Sequence, residues 1–126
     1  AYRMPAKRWN DFQLWELIPQ QIATPDLAIS VDLQHAKKQV WLRLSGALSA
    51  ANAKGLGQRL QDSLDRSKSR LVLDLTKLQW DKTEDLHPLR EKLAAYRSRI
   101  RVVLPTLQAA HPELLLLASM FHQYQG

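Results

Sequence analysis

From Leu27 the chain alternates. Leu27, Ile29, Val31 and Leu33 are apolar, with Ala28, Ser30 and Asp32 between them, the period of two that gives a strand one buried face. After the polar, turn-like stretch Gln34-His35-Ala36-Lys37-Lys38, Val40, Leu42 and Leu44 alternate with Trp41, Arg43 and Ser45. This pattern predicts an antiparallel hairpin over 27–45, ended by Gly46.

The period then changes. Ala53, Leu56, Leu60 and Leu64 recur at steps of three and four, with Lys54, Arg59, Asp62 and Asp65 on the outside and Ser49 in front as a cap. The spacing predicts a helix over about 50–67. Leu71-Val72-Leu73-Asp74-Leu75 and Ile100-Arg101-Val102-Val103-Leu104 are short, nearly continuous apolar runs, the pattern of central strands covered on both faces. Between them Leu86, Leu89, Leu93 and Tyr96 mark a second helix. Pro88 is tolerated only in a first turn, which puts the start of that helix near Asp85, with Asp85 as cap. After Pro105 a third helix carries Leu114, Leu117 and Phe121, with His111 as cap and Pro112 at its first position. The order β-β-α-β-α-β-α predicts the α/β class. A mixed sheet would open with an N-terminal antiparallel hairpin and continue through βαβα(βα) crossovers with parallel pairing.

Residues 1–26 break the pattern, holding Trp9 and Trp15 of the four Trp and Pro5, Pro19 and Pro25 of the six Pro. Trp9, Phe12, Leu14, Trp15, Leu17 and Ile18 read as a short amphipathic helix capped by Asn10 or Asp11, its aromatics packing on the domain or on a missing neighbour. The chain is therefore expected to divide into an N-terminal extension or linker from a larger protein, 1–26, and one globular domain, 27–126. The opening Ala1-Tyr2-Arg3, without an initiator Met or the apolar centre of a signal peptide, is read as the cut end of something longer.

Composition narrows the chemistry. With 126 residues, 45% of them apolar, the chain can bury one core, and its 4 Gly and 6 Pro exclude collagen-like and low-complexity classes. The absence of Cys removes disulfides, thiolate metal sites and a Cys nucleophile, and leaves the cytoplasm as the default compartment. His35, His87, His111 and His122 fall in no metal-ligand spacing, and neither a P-loop nor a dinucleotide fingerprint is present, so neither metal nor cofactor is expected. The longest apolar run, Leu114 to Phe121, is far shorter than the roughly 20 residues a membrane span requires. A net charge of +6 favours an anionic partner. Because the basic residues are spread over Arg3, Lys7, Arg8, Lys37, Lys38, Arg97, Arg99 and Arg101, a solvated surface explains them better than a nucleic-acid site.

Loops from strands into helices gather at the carboxyl ends of parallel strands, so the segment 76–85 is where a site is sought. It holds the densest acidic group, Asp81, Glu84 and Asp85, close in sequence to Asp74. Asp74 is expected to tie its strand to nearby backbone or a basic side chain. Trp80 is either an exposed anchor for a partner or a core residue, and both placements stay open.

Three stretches carry a family likeness, the last of them Ile100-Arg101-Val102-Val103-Leu104 with the final helix, which fit the remainder of the family pattern. Val40-Trp41-Leu42-Arg43-Leu44-Ser45-Gly46-Ala47-Leu48-Ser49-Ala50-Ala51-Asn52 resembles the "L-x-G-x-L-D-x-x-N" opening of the STAS domain, and Leu71-Val72-Leu73-Asp74-Leu75-Thr76 resembles its "hhhDLS" strand. That family comprises anti-sigma-factor antagonists, stressosome proteins and the cytoplasmic tails of sulfate transporters. The resemblance covers about residues 27–124. It implies a non-catalytic, regulatory domain that binds another protein or another part of its own chain.

Family members that act as phospho-switches carry an Asp-Ser-Ser-Gly type loop, phosphorylated at the start of the second helix. Here the loop reads Trp80-Asp81-Lys82-Thr83-Glu84-Asp85-Leu86. Counted without gaps, Lys82 takes the Asp position, Thr83 the first hydroxyl, Glu84 the usual phosphoacceptor and Asp85 the Gly. With one residue deleted, Asp81 matches Asp and Thr83 becomes the phosphoacceptor. Both alignments stand, and plain helix capping also accounts for Thr83, Glu84 and Asp85. The position of the loop points to partner contacts at Trp80, Lys82, Thr83 and Glu84, the gapped alignment makes Thr83 the phosphosite, and no catalytic residue is expected. Two other readings remain: an accessory domain docked on an adjoining enzyme or transporter domain, and a basic nucleic-acid-binding domain.

Overall fold

Strands β1 (Leu27–Gln34) and β2 (Gln39–Gly46) form the expected antiparallel hairpin, with Leu27 opposite Gly46 and Gln34 opposite Gln39. The structure, a computed structural model, describes residues 13–21, 26–80, 86–105 and 112–124. On the core side of the hairpin Val40, Leu42 and Leu44 are fully buried, whereas Ile29, Val31 and Leu33 on the edge strand are only partly so. Gly46 ends the hairpin at φ 99°, where a Cβ would collide with the Asp26 carbonyl oxygen. That carbonyl accepts the Ala47 N–H at 2.8 Å, so glycine is what lets the chain turn toward the first long helix.

Helix α3 (Ala50–Arg66) begins at Ser49, whose Oγ accepts the Asn52 N–H at 3.1 Å, and buries Ala53, Leu56, Leu60 and Leu64 as the periodicity predicts. It leads to β3 (Arg70–Leu78), parallel to β2. Helix α4 (His87–Leu93) carries Pro88 in its first turn and tightens into a 3-10 helix over Ala94–Arg99. Its cap is Leu86, one residue later than expected, and Asp85 lies outside the described residues. Strand β4 (Ile100–Val103) pairs parallel with β3. Helix α5 (Pro112–Met120) follows, burying Leu114 and Leu117 with Phe121 just beyond its end. His111 lies outside the described residues.

The chain closes the sheet with an unexpected strand. The two residues of β5 (His122–Gln123) pair parallel with β4, placing His122 opposite Arg101. The sheet is thus α/β and mixed, with its strands in the order β1-β2-β3-β4-β5. Each crossover advances in the same direction, and crossovers of one hand put α3, α4 and α5 on the same face. Burial agrees, because Val40, Leu42, Leu44, Leu71, Leu73, Leu75, Ile100 and Val102 share a single core with the helix leucines.

The opposite face corrects one expectation. Every residue from Leu71 to Leu75 is buried, as a doubly covered strand requires, but in β4 only Ile100 and Val102 are, while Arg101 and Val103 are half-buried. No described helix covers this second face. Beside the fully buried Val72, the rings of Trp41 and Tyr124 meet edge to face with centroids 4.9 Å apart.

Two single-turn helices, α1 (Gln13–Glu16) and α2 (Ile18–Gln21), precede the sheet. Trp15 and Ile18 are fully buried in the common core, and the Trp15 indole donates to Ser67 Oγ, the cap beyond α3, at 3.3 Å. Packing on the domain therefore describes this part of the segment, while Trp9, Phe12, Asn10 and Asp11 lie outside the described residues. Among the described residues no helix is long and apolar enough to cross a membrane.

Candidate functional site

The carboxyl end of the β2–β3 pair is irregular. Arg43 stands opposite Asp74 but Ser45 stands opposite Lys77, so β3 carries one extra residue there, a β-bulge. Bulges leave backbone groups outside the ladder, and two side chains serve them here. Asp74 Oδ1 accepts the Thr76 N–H at 3.0 Å and the Thr76 hydroxyl at 2.7 Å. Leu75, between them, has its carbonyl bound by the Trp80 indole N–H at 3.2 Å.

Asp74 Oδ2 is engaged too, by Trp41 Nε1 at 3.0 Å and Arg43 Nε at 3.1 Å. Burial is the largest single influence on this carboxyl, only 3% exposed, and it opposes ionisation. The bonds from Thr76, Trp41 and Arg43 together outweigh it and hold the pKa below the usual carboxylate range. An ionised carboxylate with both oxygens held by donors is poorly suited to exchange a proton with a substrate. Asp74 ties strand to strand, as its position in the sequence leads one to expect.

Trp80 takes the core placement of the two left open. Its ring is 4% exposed within the common core, so it does not offer a face to a partner. The expected loop of 76–85 is also shorter than the sequence implies. Thr76, Lys77 and Leu78 continue β3, and the Gln79 N–H bonds the Gly46 carbonyl at 2.7 Å. Lys82, Thr83 and Glu84, with Asp81 and Asp85, lie outside the described residues. They are bracketed by two buried residues, Trp80 and the fully buried Leu86.

Other polar groups near this end have local partners. Arg90 of α4 bonds Glu113 of α5 at 3.2 Å, joining the two helices. At the opposite end of the strands the Tyr96 hydroxyl donates to Asp65, which raises the phenol pKa above its ordinary value. Among the described residues no group of three His, Cys, Asp or Glu is placed to hold a metal ion. Ligand crevices at the carboxyl ends of α/β sheets form where the strand order reverses, and this order never reverses.

A further opening lies elsewhere. A cleft of about 420 Å³ opens on the helix-free face, at the amino ends of the parallel strands, lined among others by Arg70, Arg99, Arg101, His122 and Tyr124. The sequence shows Arg99 and Arg101 only as part of a diffuse charge. Their convergence with Arg70 depends on the register of β3 against β4, and with His122 on β5, a strand of two residues that no periodicity can reveal.

Models of known protein families include none that matches this chain, and no curated protein matches it either.

Proposed function

We propose that this is a non-catalytic interaction domain of STAS-like type. It would bind another protein, or another part of its own chain, through residues 81–85 at the carboxyl end of β3. The observation that carries the reading is the bracketing of this segment by Trp80 and Leu86, both buried in the core beside a bulge whose donors and acceptors are matched. Trp80 and Leu86 are fixed points of the core on either side of a short charged sequence, which favours its use in recognition. The loss of Trp80 as an exposed anchor shifts the contact to Lys82, Thr83 and Glu84. Thr83 is the candidate phosphosite, and Glu84 offers a fixed negative charge if it takes the phosphoacceptor position instead.

A photo-crosslinking amino acid at position 83 or 84, in the protein expressed in its source cells, tests the reading. Crosslinks at these positions to one protein, or to another part of the same chain, that are missing from the exposed edge-strand position Ala28 support it. Equal crosslinking at all three positions, or none, overturns it. The intact mass of the native protein reports separately on Thr83, since one phosphate adds about 80 Da.

A further inference from the structure

We propose that the cleft on the helix-free face of the sheet is a binding site for a phosphate dianion, either free or at the end of a small organic molecule. Three neighbouring strands build it. Arg70 opens β3, and Val72, two residues on, points to the same face and forms a fully buried floor. Arg101 of β4 stands opposite Val72, and His122 of β5 stands opposite Arg101, so the basic side chains rise from one surface in adjacent rows.

Their remaining valences decide the chemistry. The Arg99 guanidinium is held in place by the carbonyls of Leu64, Ser67 and Ser69 at 2.8–2.9 Å, so it gives the wall a fixed positive charge. Among the described residues Arg101 donates only through Nη1, to the Ser98 and Ile100 carbonyls at 3.2 and 3.1 Å, which leaves Nε and Nη2 for a ligand. The Arg70 side chain has no partner among the described residues, while its backbone is fixed by the bond from its N–H to the Lys38 carbonyl at 3.0 Å. Among the described residues no Asp or Glu lines the cleft, so none of them neutralises its charge from within.

A carboxylate is planar and is satisfied by one guanidinium fork. Donors arriving from separate strands suit a tetrahedral group with acceptor oxygens on several sides. The volume of about 420 Å³ falls in the range of small-molecule sites and leaves room beyond the anion, along the walls formed by Gln39, Gln123 and the Tyr124 ring.

The test is titration of the full chain, labelled with ¹⁵N, with inorganic phosphate and separately with phenyl phosphate, at constant ionic strength and with chloride and phenol as controls. Saturable amide shifts at Arg70, Arg101 and His122 are expected with both phosphates and with neither control. Arg70→Ala and Arg101→Ala should each weaken binding about tenfold or more, and the exposed Lys54→Ala by less than about twofold. Thermal melts verify that each variant is folded. Phenyl phosphate binding about tenfold tighter than phosphate assigns the site to a phosphorylated organic molecule, and equal affinity assigns it to the free anion. Shifts that do not saturate, or that persist unchanged in both arginine variants, overturn the proposal. So does tighter, steeply salt-dependent binding of a short DNA duplex at the same amides, which would make the cleft part of a nucleic-acid surface.

Discussion

Asp74 grips Thr76 twice, its Oδ1 accepting the backbone N–H at 3.0 Å and the hydroxyl at 2.7 Å, at the point where β3 carries one residue more than β2. The carboxylate thus supplies an acceptor where the ladder is irregular, and its other oxygen reaches across the sheet to Trp41 and Arg43. Asp74→Ala should cost about 1–3 kcal/mol, because it removes four hydrogen bonds to a buried carboxylate. Asp74→Asn should also destabilise, since an amide that keeps its oxygen toward Thr76 turns an N–H group toward the Trp41 and Arg43 donors.

The same group sets a pH dependence with a definite sign. Its folded pKa is depressed, so its contribution is fully present above the ordinary aspartate value of about 3.9 and is lost as pH falls below that toward the folded value. Urea unfolding of the parent and Asp74→Asn at neutral pH and near pH 3 checks this. The gap between their midpoints should narrow at the lower pH, and a gap that widens would contradict the ionised, hydrogen-bonded carboxylate.

Trp80 governs how any binding experiment on this region is read. Its ring is buried and its indole serves the Leu75 carbonyl, so Trp80→Ala should cost about 3–5 kcal/mol by opening a cavity. Trp80→Phe keeps most of the packing and loses the bond, for about 1–2 kcal/mol. Denaturant midpoints of the two variants separate these contributions. A partner lost on Trp80→Ala would therefore report on folding, and contact is better tested at Lys82 or Glu84.

The hairpin and the long helix with its Ser49 cap were legible because each repeats its period over enough residues to be distinctive, and the buried strand 71–75 because its apolar run is nearly unbroken. The continuation of β3 through Thr76, Lys77 and Leu78 was not, since two polar residues in succession read as a loop and only the pairing with Ser45 and Gly46 makes them strand. Trp80 sat between two readings because burial of an aromatic beside charges is a tertiary property. Asp74 was legible in role but not in partners, as the bonds from Trp41 and Arg43 depend on cross-strand register. The cleft arginines were invisible as a group for the same reason, and β5 was too short to announce itself.

Two glycines should respond in opposite directions to the same change. Gly46→Ala places a Cβ against the Asp26 carbonyl at φ 99° and should cost at least about 2 kcal/mol, strain and collision together. Gly55 lies within α3 with open space where its Cβ would be, so Gly55→Ala should stabilise by about 0.5–1 kcal/mol through helix propensity. Thermal melts should shift down for the first and up for the second. A stabilising Gly46→Ala would mean that the turn out of β2 is built differently.

Arg99 closes the far end of the same helix. The last carbonyls of an α-helix have no partners within it, and Arg99 supplies N–H groups to Leu64 in the last turn of α3 and to Ser67 and Ser69 just beyond. Its positive charge also meets the negative end of the helix dipole. Arg99→Ala should cost about 2–3 kcal/mol, and Arg99→Lys should recover only part of this, because one ammonium cannot reproduce a planar fork directed at three acceptors. Amide hydrogen exchange localises the effect. Protection in the last turn of α3 should fall first, ahead of the hairpin 27–46, since the carbonyls left behind belong to that turn and to the connection into β3. Equal loss of protection in both places would mean that Arg99 supports the sheet as a whole rather than the end of this helix.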